Sequence, residues 1–240
     1  MARPRRRTVD FGNFSLGAGT LALCAALLAL SALARFGLAK ELEVVPGAVL
    51  HGHLWQLVTS GFVEGGVTNI LFTLLAVGVL GNALEGRWGT QRLVVNFLAY
   101  TAVGGVAWTL LGVAFSPLRE VRYLGAWPAI AAFTVFYALE MPDRPIFAMF
   151  VLPLSGRQLI YFELFMIALV AVFDVWFHAV PPAAALAMAY ALYAGGASPR
   201  RLVQRWRAWW LERRLKKRRL RVVEEITRPP QKDGSSKYLH

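Results

Sequence analysis

Long apolar runs, broken at short intervals by charge, proline and glycine, set the pattern of this chain. The run from Val67 to Leu84 holds 18 residues with no charge; its polar members are Thr68, Asn69, Thr73 and Asn82. That length and polarity predict a bilayer-spanning helix. Five further runs read the same way. They extend from Leu16 to Leu33, from about Arg92 to Phe115, from near Tyr123 to near Leu139, from Gln158 to Phe177, and from Pro181 to about Tyr193. The prediction is an all-α, polytopic membrane protein with a six-helix transmembrane bundle.

The connections carry their own pattern. Between the first and second helices, Ala39 to Glu64 contains Pro46, Gly47 and Gly52 as breakers, with Leu54, Trp55, Leu57, Val58 and Phe62 between them. Short helical pieces in the membrane interface suit this stretch, with Trp55 anchored at headgroup depth. Glu85 to Gln91 reads as a tight turn, with Glu85 as a clamp toward Arg87 or Arg92. Ile146 to Leu154, bounded by Pro145 and Pro153, is too short to span and is expected in the interface. Gly104, Gly105 and Gly112 in the third helix allow close backbone approach. Pro181-Pro182 suits a helix start, where a missing amide donor costs little.

Composition agrees. The 240 residues are 57% hydrophobic and 17% charged, against about 45–50% apolar and about 25% charged in a soluble domain. The net charge of +12 is concentrated: 14 Lys and Arg residues lie between Pro199 and His240. This divides the chain into a basic N-terminus (1–13), a membrane domain (14–196) and a basic tail (197–240). Leu202, Trp206 and Trp209 give the tail a Trp-rich side among cations. It reads either as a solvated topogenic tail or as a helix on anionic lipid, followed by a disordered end. A juxtamembrane position explains the basic run without nucleic acid. Arg3, Arg5, Arg6 and Arg7 precede a run too long for a signal-peptide core, so a retained first helix is expected. Lys and Arg in the loops place both termini in the cytoplasm. Arg- and Ala-rich composition with compact loops suggests a bacterial inner membrane.

Candidate chemistry is sparse. Cys24 is single and sits in an apolar run, so it reads as a packing residue. His51, His53, Glu64 and His178 lack a hard metal-binding spacing, so neither a metal nor another cofactor is expected. Glu163 and Asp174 lie near opposite ends of the fifth helix, where ionisable groups more often reach the interface than mark a site.

Six helices, a long outer loop after the first, and Trp55-Gln56-Leu57-Val58-Thr59 with Phe62 leading into the second resemble the rhomboid superfamily. Gly81, Leu84-Glu85 and Gly89 add to the likeness. Pro46-Gly47, Phe62-Val63-Glu64 and Leu84-Glu85 with Trp88-Gly89 are also similar to the Golgi-resident rhomboid-like branch, whose members are not known as proteases. The resemblance implies a rhomboid-like fold. In an active rhomboid protease a serine at the start of helix four is the nucleophile, a histidine on helix six is the base, and a His-x-x-x-Asn pair on helix two helps hold the oxyanion. In this chain the helix-four motif reads Gly125-Ala126-Trp127-Pro128, so Trp127 stands at the serine position. The helix-two positions fall on Asn69 and Thr73, with Glu64 at the region's usual first histidine. Helix six carries Pro181 and no histidine at the base position, and His178 lies three residues earlier. Without an activated nucleophile and a base, only residual catalysis is expected.

The main expectation is a pseudoprotease that binds or regulates transmembrane segments of client proteins. The alternative is an active rhomboid-type intramembrane serine protease with a displaced site, for which Ser60 and Ser155 are the candidate nucleophiles. A small-molecule transporter or lipid-handling protein is a third reading, weakened by the absence of inverted repeats and of broken-helix pairs in corresponding positions.

Overall fold

The computed structural model describes residues 8–11, 14–148 and 152–194. The arginine-rich N-terminus before residue 8 and the basic tail from residue 195 lie outside the described residues. Residues Met1–Ala191 group into one compact unit and Leu192–His240 into another. The helical core belongs to the first.

Six helices carry the fold: α1 (Ala18–Leu33), α2 (Val67–Trp88), α3 (Thr90–Ala114), α4 (Trp127–Glu140), α5 (Gly156–Phe173) and α6 (Val180–Ala194). Four apolar segments are long enough to cross a membrane: Ala18–Gly37, Val67–Trp88, Thr90–Ala114 and Gly156–Phe173. The chain is an all-α polytopic membrane protein. At 14 residues α4 is only about 21 Å long, shorter than the ~30 Å hydrocarbon core. It is also the most enclosed helix, buried from Pro128 to Ala138 except at Ile130. A helix apolar all round and surrounded by its neighbours is a core helix.

Several boundaries differ from the hydropathy reading. α1 begins at Ala18 because Phe14–Gly17 pairs with Thr8–Phe11 in an antiparallel hairpin. α2 continues through Leu84 to Trp88, and Gly89, at φ +80°, is the whole joint to α3. α4 begins at Trp127 rather than Tyr123. Tyr123 exchanges backbone hydrogen bonds with Val44, 3.0 Å each way, and Gly125 turns the chain at φ +114°. That left-handed conformation suits glycine. α5 stops at Phe173, and a 3-10 turn, Trp176–Ala179, leads to α6. Ile146–Ala148 and Leu152–Leu154 form a second hairpin.

The segment after α1 folds into short helices, Pro46–Leu50 and Gln56–Thr59, laid against α3. The glycines of α3 permit this. A Cβ on Gly112 would stand 2.3 Å from Pro46 Cβ, and one on Gly105 would stand 2.9 Å from Leu57 Cα. A Cβ on Gly104 would meet Pro128 Cγ of α4 at 2.4 Å. Trp108, fully buried, packs with Val44, Val49 and Tyr123, and its Nε1–H donates to Val121 O at 3.1 Å. This cluster anchors the loop that ends at Gly125.

Candidate functional site

The N-terminus of α4 is where the expected site would lie, and two carboxylates hold it. Glu64 follows the Ser60–Phe62 turn. Its backbone N–H donates to Ser31 Oγ of α1 at 3.1 Å, which points its side chain inward. Glu64 Oε1 accepts from Thr73 Oγ1 at 2.8 Å and from the Ala126 backbone N–H at 3.0 Å. A carboxylate on the free amides at a helix start is favourable in charge and in hydrogen bonding. Burial pushes the Glu64 carboxyl above its ordinary range, and the Ala126 and Thr73 donors partly offset that rise. The same burial, with the negative charge of Glu64 added, drives the Tyr123 phenol up.

Trp127, the next residue, donates from its indole Nε1 to Glu163 Oε1 on α5 at 2.7 Å. Glu163 is buried among its protein neighbours rather than exposed at a helix end. Asp174, at the far end of α5, is exposed as expected. His178 Nδ1 lies 3.0 Å from Asp174 Oδ2, and this contact holds the Asp174 carboxyl below its usual range.

These residues border a cavity of about 770 Å³ between α2, α4 and α5. Asn69, Thr73, Trp127 and His178 all line it, with Glu64 and Glu163. Three of the four positions singled out by the rhomboid resemblance, Asn69, Thr73 and Trp127, therefore border one cavity. Pro181 does not line the cavity; its Cβ is directed at Gly104 of α3. Phe72, half exposed, and Asn69 mark the side open along α2. α5 packs on α4 and on the turn that follows it, with no comparable packing on α2.

The arrangement offers little for hydrolysis. Trp127 has no nucleophilic atom, and the Ala126 amide, a donor an oxyanion could use, is already taken by Glu64. Ser155 is the N-cap of α5: its Oγ accepts from Gln158 N while Gln158 Oε1 accepts from Ser155 N. Ser60 is buried, and among the described residues no hydrogen bond joins it to a histidine. His51 Nδ1 lies 2.7 Å from Gly47 O, and His53 stacks on Trp55. No group of three or more His, Cys, Asp or Glu side chains placed to hold a metal occurs among the described residues.

At the other end of α2, Glu85 is a clamp, but not toward arginine. It is 2% exposed and accepts from the Gly19 and Thr20 amides, from Thr20 Oγ1 and from Thr90 Oγ1. It thereby caps the start of α1. Arg87 pairs instead with Glu140 at the end of α4, whose Oε1 also accepts from Trp88 Nε1. Arg92 lies over the Trp88 ring at 5.0 Å.

The sequence missed the pairing of Glu64 with Ala126 and of Trp127 with Glu163. Both join residues far apart in the chain. The available signals were a glutamate inside an apolar helix and a glutamate at a histidine position.

Transmembrane protein 115 from Bos taurus and from Homo sapiens are each 34% identical to this chain over 116 residues. That stretch is 48% of this chain and 31% of either relative, so the chain matches about a third of their length. Both relatives are eukaryotic, and a bacterial inner membrane finds no support in them. A model of the family described as eukaryotic integral membrane protein (DUF1751) matches residues 18–195, which span α1 to α6 and every residue of the cavity. With that match over most of its length, the chain belongs to this eukaryotic integral membrane protein family.

Proposed function

We propose that this chain is a rhomboid-like pseudoprotease that binds transmembrane segments of client proteins along the gap between α2 and α5, without cleaving them. The observation that carries this reading is the state of the α4 N-terminus. Its first side chain is an indole bonded to Glu163, and the amide before it is bonded to Glu64. A hydrolase needs a nucleophile and free oxyanion donors there. A lateral gap persists beside this filled site. Phe72 on α2, in the cavity lining, presents a large apolar side chain without protein cover at that gap. Client side chains enter the cavity while the client helix stays in the bilayer. Both termini face the cytoplasm in this proposal, and the basic tail rests on anionic lipid.

The test is labelling of the purified full-length chain with a fluorophosphonate serine probe, beside Ser60→Ala, Ser155→Ala and an active rhomboid protease. No labelling where the control labels is the expected result. Labelling lost in one serine variant would restore the protease reading.

A further inference from the structure

Two largely buried glutamates border the cavity, and among the described residues neither is hydrogen-bonded to a basic side chain. Glu64 is 9% exposed and Glu163 7%, and both line the space. Each commits one oxygen to the protein: Glu64 Oε1 to Thr73 and Ala126, and Glu163 Oε1 to Trp127. Oε2 of each has no hydrogen-bond partner among the described residues. Glu64 Oε2 lies over Gly125, also a lining residue, where a Cβ would stand 3.5 Å away. Arg122 in the lining is drawn off by Glu43 at 3.4 Å, and His178 is held by Asp174. Unpaired buried carboxylates are costly, and a cation that reaches them offsets the cost.

Size decides what could bring that cation. The cavity is about 770 Å³, within the roughly 300–1,000 Å³ of small-molecule sites. A spanning helix ~30 Å long and ~10 Å across fills about 2,400 Å³. The remaining walls are largely apolar, with Leu75, Val79, Ile130 and Met166 among them.

We infer that the cavity binds a single-chain amphiphile with a protonated amine head. The ammonium donates to the free oxygens of Glu64 and Glu163, and the chain leaves past Phe72 toward the bilayer. An ammonium has three donors and no acceptor, which suits carboxylate oxygens that accept no hydrogen bond from the described residues. This inference goes beyond client binding and does not rest on it.

The experiment uses the full-length chain in phosphatidylcholine nanodiscs and a diazirine-bearing sixteen-carbon primary amine. Photolabelling is expected on α2, α4 or α5. Unlabelled hexadecylamine should compete at least about tenfold better than hexadecanol. Glu64→Gln and Glu163→Gln keep an oxygen for their internal partners, and each should weaken amine competition about tenfold while leaving the alcohol unchanged. Equal competition by amine and alcohol on the unmodified protein would overturn the inference, and that comparison needs no variant. Competition by a lysine-bearing transmembrane peptide with none by the free amine would overturn it too. Neither failure touches the serine-probe result, so the two readings fail separately.

Discussion

A buried glutamate lies near each end of α2, Glu64 in the turn before it and Glu85 in its last turn, and the two are satisfied to different degrees. Glu85 accepts from four donors on α1 and α3 and does not line the 770 Å³ cavity. Glu64 accepts from two donors through one oxygen and leaves the other beside a 770 Å³ space. A saturated carboxylate is structural, since its bonds offset the cost of burial. A half-satisfied one at a cavity remains available to something else. The same residue type near the two ends of one helix thus holds the fold at one end and marks a candidate site at the other.

The largest effect should come from breaking the saturated end. Glu85→Ala strands buried amides and hydroxyls and should cost roughly 3–5 kcal/mol, read as a large drop in melting temperature in detergent. Trp127→Phe keeps an aromatic ring but removes the donor to Glu163, at about 1–3 kcal/mol. Trp127→Ser places a hydroxyl at the position the rhomboid resemblance gives to a serine, yet serine-probe labelling should stay absent because no histidine is bonded there. Labelling of that variant would show that the cavity supplies a base.

Glu64→Gln should behave in the opposite way to Glu85→Gln. Burial raises the Glu64 carboxyl above its ordinary 4.5, so the folded protein holds a proton that the unfolded chain releases. Stability therefore falls as pH rises from about 4.5 through the raised folded value, and is lowest above it. Glu64→Gln removes that loss and should melt at or above the unmodified protein at pH ~7, while Glu85→Gln melts below it. Equal losses from both would erase the comparison. The smallest effect belongs to Asp174→Asn. Asp174 is exposed, so its depressed carboxyl pKa reflects a solvated pair with His178, and melting should be unchanged.

The four long helices were legible because a bilayer demands length and apolarity, as in the 18-residue run from Val67, while α4 and α6, shorter than a span, were legible by apolarity alone. The glycines of α3 were legible as points of close approach. The hairpins were not, since Ile146 to Leu154 carries no period that separates strand from interfacial coil. Trp127 was legible only as the residue at the position the rhomboid resemblance gives to a serine. Its bond to Glu163 was not, because 36 residues separate them and a glutamate in a helix does not announce which neighbour it faces. The Glu85 clamp was read as local and proved to reach back 65 and 66 residues to α1. Asn69, Thr73 and Trp127, apart in the sequence, border one cavity, and three-dimensional pairing shows what its polar groups are occupied with.

The most direct test of the account is site-specific photocrosslinking in the native membrane, with benzoylphenylalanine in place of Phe72 at the cavity mouth and in place of Val106, exposed on α3. The account predicts crosslinks from position 72 to membrane-spanning segments of other proteins, mapped by mass spectrometry, well above those from position 106. Equal crosslinking from the two positions, or none from position 72, would contradict client binding at the gap between α2 and α5.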